Sequence, residues 1–158
     1  MNKILLISIR PEFSDLIFSG RKTVELRRTK PSLTAGDLVI VYTSSPSCEL
    51  TGAFEVKKVD CGRPGSLWRK VRNSCGISKA TYNAYFAGAS TAFGIQIKKA
   101  WRLETPLKLE SMRKRLSAFH PPQTYRYFAR SELGILIPTL TAERLLSRSR
   151  SAGAVAKG

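Results

Sequence analysis

The sequence predicts an α+β fold, a small mixed β-barrel with helical insertions. Three observations lead there: segments of period-two alternation come first and recur, helical spacings lie between them, and no regular β-α alternation or Gly-rich phosphate loop appears. The third argues against a doubly wound nucleotide-binding fold. With 158 residues and 42% hydrophobic content, the chain can build one core and has no room for a second full domain. Residues 1–138 are expected to form the domain, and 139–158 a C-terminal helix and flexible basic tail.

Residues 3–9 are apolar and β-branched enough for a buried strand. Pro11 follows where a first helical turn tolerates a missing N–H, Phe13, Leu16 and Ile17 share a helical face, and Gly20 supplies the stop. Lys22 to Arg28 then alternates Val24 and Leu26 against Thr23, Glu25 and Arg27, so Glu25 and Arg27 fall on one strand face. Asp37 to Thr43 and Gly52 to Val59 read as further strands. From 66 to 87 the spacing is helical: Leu67, Trp68 and Val71 form one face, Gly76 interrupts, and Tyr82, Tyr85 and Phe86 form a second face ended by Gly88. Ala92 to Ala100 returns to alternation. Leu109 to Phe119 reads as a basic helix broken by Pro121-Pro122, Tyr125 to Phe128 as an aromatic strand or loop, and 141–148 as a last helix.

The formal net charge of +16, from 27 Lys and Arg against 11 Asp and Glu, exceeds what solubility needs and points to an anionic partner, with nucleic acid ranked first. No stretch of about 20 apolar residues is present, so no membrane-spanning helix is expected. Cys48, Cys61 and Cys75 form no Cys-x-x-Cys pair and suit a reducing, cytoplasmic compartment as free thiols. His120 is the single histidine, and neither a metal site nor any other cofactor is expected.

The segment Leu6-Ile7-Ser8-Ile9-Arg10-Pro11-Glu12-Phe13, followed by Gly20-Arg21-Lys22-Thr23-Val24-Glu25-Leu26-Arg27, resembles the ASCH domain of the PUA-like superfamily. Its hallmark Gly-x-Lys-x-x-Glu-x-Arg is met by Gly20, Lys22, Glu25 and Arg27. Tyr42-Thr43-Ser44-Ser45-Pro46, Gly52-Ala53-Phe54-Glu55-Val56 and Pro121-Pro122-Gln123-Thr124-Tyr125-Arg126-Tyr127 look like later elements of the family. The resemblance runs over roughly residues 4–130. It implies a pseudo-barrel with a positively charged cleft that binds RNA or modified bases. It also implies two possible chemistries, a metal-independent ribonuclease or an amidohydrolase acting on N4-acetylcytidine. The amidohydrolase branch carries a Thr nucleophile three residues after its Lys; here that position is Glu25.

The candidate cleft therefore contains Lys22, Glu25 and Tyr42 as candidate catalytic residues, and Arg10, Arg27, Arg28, Ser44, Arg69, Lys70 and Arg126 as candidate nucleic-acid contacts. Lys22 and Arg27 suit a phosphate or base carbonyl, and Glu25 an exocyclic amine. A Glu25–Arg27 ion pair that only orders the sheet is the plainer alternative. Trp68, Tyr82 and Phe86, at helical spacing, read as core. The first hypothesis is a module binding RNA, single-stranded or structured, or a modified nucleoside. The second is an enzyme, ribonuclease before amidohydrolase. The third is a regulator binding DNA, for which no helix-turn-helix is legible.

Overall fold

The computed structural model describes residues 2–136, in a mixed α+β arrangement of a curled six-stranded half-barrel sheet and five helices. β1 (Ile4–Ile9), α1 (Pro11–Phe18), β2 (Val24–Arg27), β3 (Leu38–Thr43) and β4 (Glu49–Gly62) come first. After them run α2 (Pro64–Val71), α3 (Lys79–Phe86), β5 (Ala92–Lys108), α4 (Leu109–Arg115), β6 (Tyr125–Tyr127) and α5 (Arg130–Leu136). The sheet order is β2-β5-β4-β3-β1-β6. β1 runs parallel to β3 and antiparallel to β6, and the other pairings are antiparallel.

Both faces of β1 and β3 are buried, which explains their continuous apolar runs. Alternation sends Ile4, Leu6, Leu38, Ile40 and Tyr42 to one core cluster under α4 and α5. It sends Leu5, Ile7, Ile9, Val39 and Val41 to the other, against Ile17 of α1. A third cluster joins Val24 and Leu26 of β2 to Leu67, Val71, Tyr82 and Phe86, so the α2–α3 hairpin is docked on the β2–β5 end of the sheet. Trp68 and Tyr82 pack with ring centroids 4.8 Å apart, and the Tyr82 hydroxyl donates to the Pro64 carbonyl at 2.7 Å.

Several expected boundaries move. β4 and β5 are longer than their alternation suggests, because irregularities at Glu55/Val56 and Val56/Lys58 break the period of two without ending the pairing. The helical stretch at 66–87 is two eight-residue helices separated at 72–78. Gly76 in that break has φ +70 and lies against the Lys22 side chain, a backbone conformation that favours glycine. The basic helix ends at Arg115 rather than 119, since Leu116 is extended at φ −131. α5 was not expected: Glu132 accepts from the Ala129 N–H at 3.1 Å, the second half of a capping box whose first residue here is Ala rather than Ser or Thr. The expected helix at 141–148 and the tail lie outside the described residues.

Candidate functional site

The curl of the sheet brings edge strand β2 near the opposite edge, but no ladder joins them. Arg27 bridges the gap instead: Nη2 donates to the Ser8 carbonyl at 3.0 Å and Nη1 to the Thr124 carbonyl at 3.2 Å. Lys22 donates to the Cys75 carbonyl, beside Gly76, and its ammonium lies 5.4 Å from the centroid of the Phe13 ring. Between these cations sits Glu25, 3.5 Å from Arg27 Nη2 and 3.8 Å from Lys22 Nζ. All three are buried, at 3%, 7% and 9% exposure for Lys22, Glu25 and Arg27. The hydrogen bonding is incomplete, for Glu25 Oε2 and Arg27 Nε are buried without a hydrogen-bond partner.

Over this cluster opens a cavity of about 480 Å³, walled by Arg10 and Phe13 on the α1 side, by Thr81, Ala84 and Tyr85 of α3, and by Gln123. Two lysine or arginine charges against one carboxylate leave the floor one unit positive, and Arg10 at the wall adds a second. Thr81, Ala84 and Tyr85 face the cavity because Tyr82 and Phe86, on the other side of α3, are taken by the core. The Tyr85 ring therefore stands partly exposed at the opening, and its hydroxyl donates to the Leu26 carbonyl at 3.3 Å. Burial pushes its phenol up, with Glu25 adding and the nearby Arg27 and Arg28 opposing. The chemistry on offer is an anion or carbonyl site beside an aromatic surface, of a volume typical of small-ligand pockets.

The structure thus brings together Arg10, Lys22, Glu25 and Arg27. Arg28 sits nearby and donates to the Tyr85 and Ala87 carbonyls at the end of α3, where a cation suits the helix dipole. Arg69 and Lys70 are exposed on α2. Ser44 lies just past β3, its N–H donating to the Ile9 carbonyl at 2.9 Å, and does not line the cavity.

Two placements are corrected. Tyr42 belongs to the cluster on the opposite face of the sheet, with Leu38 and Ile40, because β3 alternates. Arg126 pairs across from Leu6 and shares that far face, where it bonds Glu132 at 2.7 Å and lies over Phe119 and Phe128. It lines a second cavity of about 470 Å³ with His120. Burial pushes Glu132 up, but the Ala129 N–H and the Arg126 guanidinium outweigh it and hold the carboxyl below its usual range. Sequence reasoning missed Thr81 and Ala84, which carry no motif, and Gln123, which lies in the Pro121–Tyr127 segment but was not singled out. Tyr85 was grouped with its core neighbours by spacing alone.

Burial, then the hydrogen bond with Cys48, pushes the Tyr42 phenol up to about 12, and burial alone does most of the same for Tyr82. Since both folded values lie above the ordinary 10.0, their contribution to stability is intact below pH 10 and fades as pH rises through 12. Ultraviolet titration of the five tyrosines should show two ionising last, near the alkaline unfolding transition. Early ionisation of all five in folded protein would contradict the burial.

The profile of the ASCH domain matches residues 7–112. The chain is 27% identical over 141 residues to a Zymomonas mobilis protein named ASCH domain-containing ribonuclease, covering 89% of this chain and 94% of that one. The crystal structure of ASCH from Zymomonas mobilis superposes with a TM-score of 0.81 at 27% identity, covering 89% of this chain and 96% of that one. A segment of 106 residues is 32% identical to a Ureaplasma parvum protein named large ribosomal subunit protein uL22, spanning 66% of this chain and 34% of that protein, about a third of its length. With a matching profile over most of the folded region and a shared PUA-like architecture, the chain belongs to the ASCH domain family.

Proposed function

We propose that the chain binds RNA through this cavity, one nucleotide entering between Phe13 and Tyr85. The observation that carries the reading is a buried, net-positive Lys22–Glu25–Arg27 floor with unfilled hydrogen-bonding capacity beneath an aromatic opening. Single-stranded RNA offers what this requires, a base that leaves its neighbours to stack on a side chain and a phosphate for the cations. Arg10 supplies the exposed charge at the wall, whereas Lys22 and Arg27 are already held by backbone carbonyls.

RNA cleavage is the second reading, favoured by the near full-length similarity to the Zymomonas protein named a ribonuclease. In it, the 2′-oxygen bonds to phosphorus as the 5′-oxygen of the next nucleotide leaves, the 2′-hydroxyl proton passing to water and the leaving oxygen taking one from water, while Lys22 and Arg10 stabilise the charge that builds on the phosphate. A modified nucleoside and DNA are weaker candidates for the same cavity.

The test is a gel shift and a denaturing cleavage gel on labelled single-stranded RNA, with parent, Arg10→Gln and Lys22→Met proteins. Arg10→Gln should weaken binding about tenfold, the loss of one charged hydrogen bond, with no change in melting temperature. Cleavage that disappears in Lys22→Met while binding persists supports the enzyme. Binding without cleavage supports the module, and no binding by the parent rejects RNA as ligand.

A further inference from the structure

The α2–α3 hairpin carries a charge pattern that the cavity does not absorb. Residues 61–103 contain no Asp or Glu. Within that stretch Arg63, Arg69, Lys70, Arg72 and Lys79 are all exposed. Four cations elsewhere on the surface have a carboxylate partner, Lys58 with Asp60, Lys98 with Glu55, Arg102 with Asp15 and Arg126 with Glu132. Among the described residues, none of the five hairpin cations has an ion pair or a side-chain hydrogen bond. Five like charges held without a counter-charge repel one another and cost stability.

The hairpin is also a firm platform. Leu67, Val71, Tyr82 and Phe86 are buried in the third cluster, and α3 itself forms the cavity wall through Thr81, Ala84 and Tyr85. The charged surface is thus on the same unit as that wall. Each helix has eight residues and is about 12 Å long, a span that one phosphate does not cover.

We propose that the α2–α3 hairpin is a phosphate track adjoining the cavity, so that the ligand is a segment of single-stranded RNA rather than a free nucleotide. One nucleotide occupies the cavity and neighbouring phosphates lie along Arg69, Lys70 and Arg72. This rests on the cavity reading above. The strand is unpaired because a base enclosed in the cavity has left any duplex, which costs least where no pairing exists.

The experiment is fluorescence anisotropy on a labelled eight-nucleotide RNA over a range of salt, with competition by nucleoside monophosphates. The proteins are the parent, the Arg69→Gln/Lys70→Gln/Arg72→Gln triple variant, and Lys79→Gln alone, each checked for an unchanged circular dichroism spectrum. The triple variant should flatten the slope of log K against log salt by about 2 and weaken RNA binding roughly 100-fold at 0.1 M salt, at about 0.7 per phosphate contact. Its monophosphate competition should match the parent's. Unchanged slopes in both variants with monophosphate binding intact overturn the track and leave the cavity reading standing. Tighter binding of duplex DNA with the same slope change overturns the RNA assignment of the track, and a parent that binds neither RNA nor monophosphate overturns both readings.

Discussion

Glu25→Gln lowers stability to chemical denaturation by about 3 kcal/mol, because it leaves two buried cations without their shared counter-charge. Lys22 and Arg27 have little access to water at 3% and 9% exposure, and Glu25 stands between them at 3.8 Å and 3.5 Å. The amide keeps the carboxylate's shape, so the loss reads charge rather than packing. A second substitution identifies the cause. Lys22→Met removes one of the stranded cations, so Glu25→Gln/Lys22→Met should be more stable than Glu25→Gln alone, a coupling that two independent sites do not show. A Glu25→Gln protein within about 0.5 kcal/mol of the parent would mean that the cluster is as well hydrated as a surface pair.

Gly52→Ala costs about 3 kcal/mol by a different route, at the upper end of what overpacking imposes. A Cβ at position 52 would sit 2.3 Å from the Trp101 carbonyl oxygen and 2.6 Å from the Phe18 ring. The ring can turn away; the carbonyl belongs to the neighbouring strand, so relief requires β4 and β5 to separate where Gly52 pairs with Arg102. Phe18→Ala added to Gly52→Ala should therefore leave the penalty largely in place. A urea midpoint for Gly52→Ala equal to that of the parent would show that the ribbon yields at this point without cost.

Much of the architecture was legible because its signals are local. Ile4 to Ile9 and Leu38 to Thr43 are apolar but for Ser8 and Thr43, Pro11 opens α1, and the Gly20-x-Lys22-x-x-Glu25-x-Arg27 spacing marked Lys22, Glu25 and Arg27, which line the cavity floor. Arg10 was also placed at the right end of the molecule. What failed was the assignment of faces to residues distant in sequence. Tyr42 and Arg126 lie next to the right strands but one residue out of phase with the cavity, since strand alternation turns every second side chain to the other face. The cavity wall on α3 was hidden for a related reason. Helical spacing grouped Tyr85 with Tyr82 and Phe86, and only the docking of α3 on β2 decides which of the three is left outside the core.

The arrangement of the sheet also bears on how the chain is made. β1 precedes every other described element, yet its partners are β3 and, much later, β6, through pairings such as Leu5 with Tyr127. A strand of six apolar or hydroxyl residues emerges from the ribosome with nothing to pair against, and at about 5–20 residues per second it waits several seconds before its last neighbour is synthesised. Loop-closure entropy makes so distant a pairing slow. During synthesis a strand that is almost wholly buried in the finished protein is an exposed apolar segment, so residues 4–9 are vulnerable to aggregation until their partners are made.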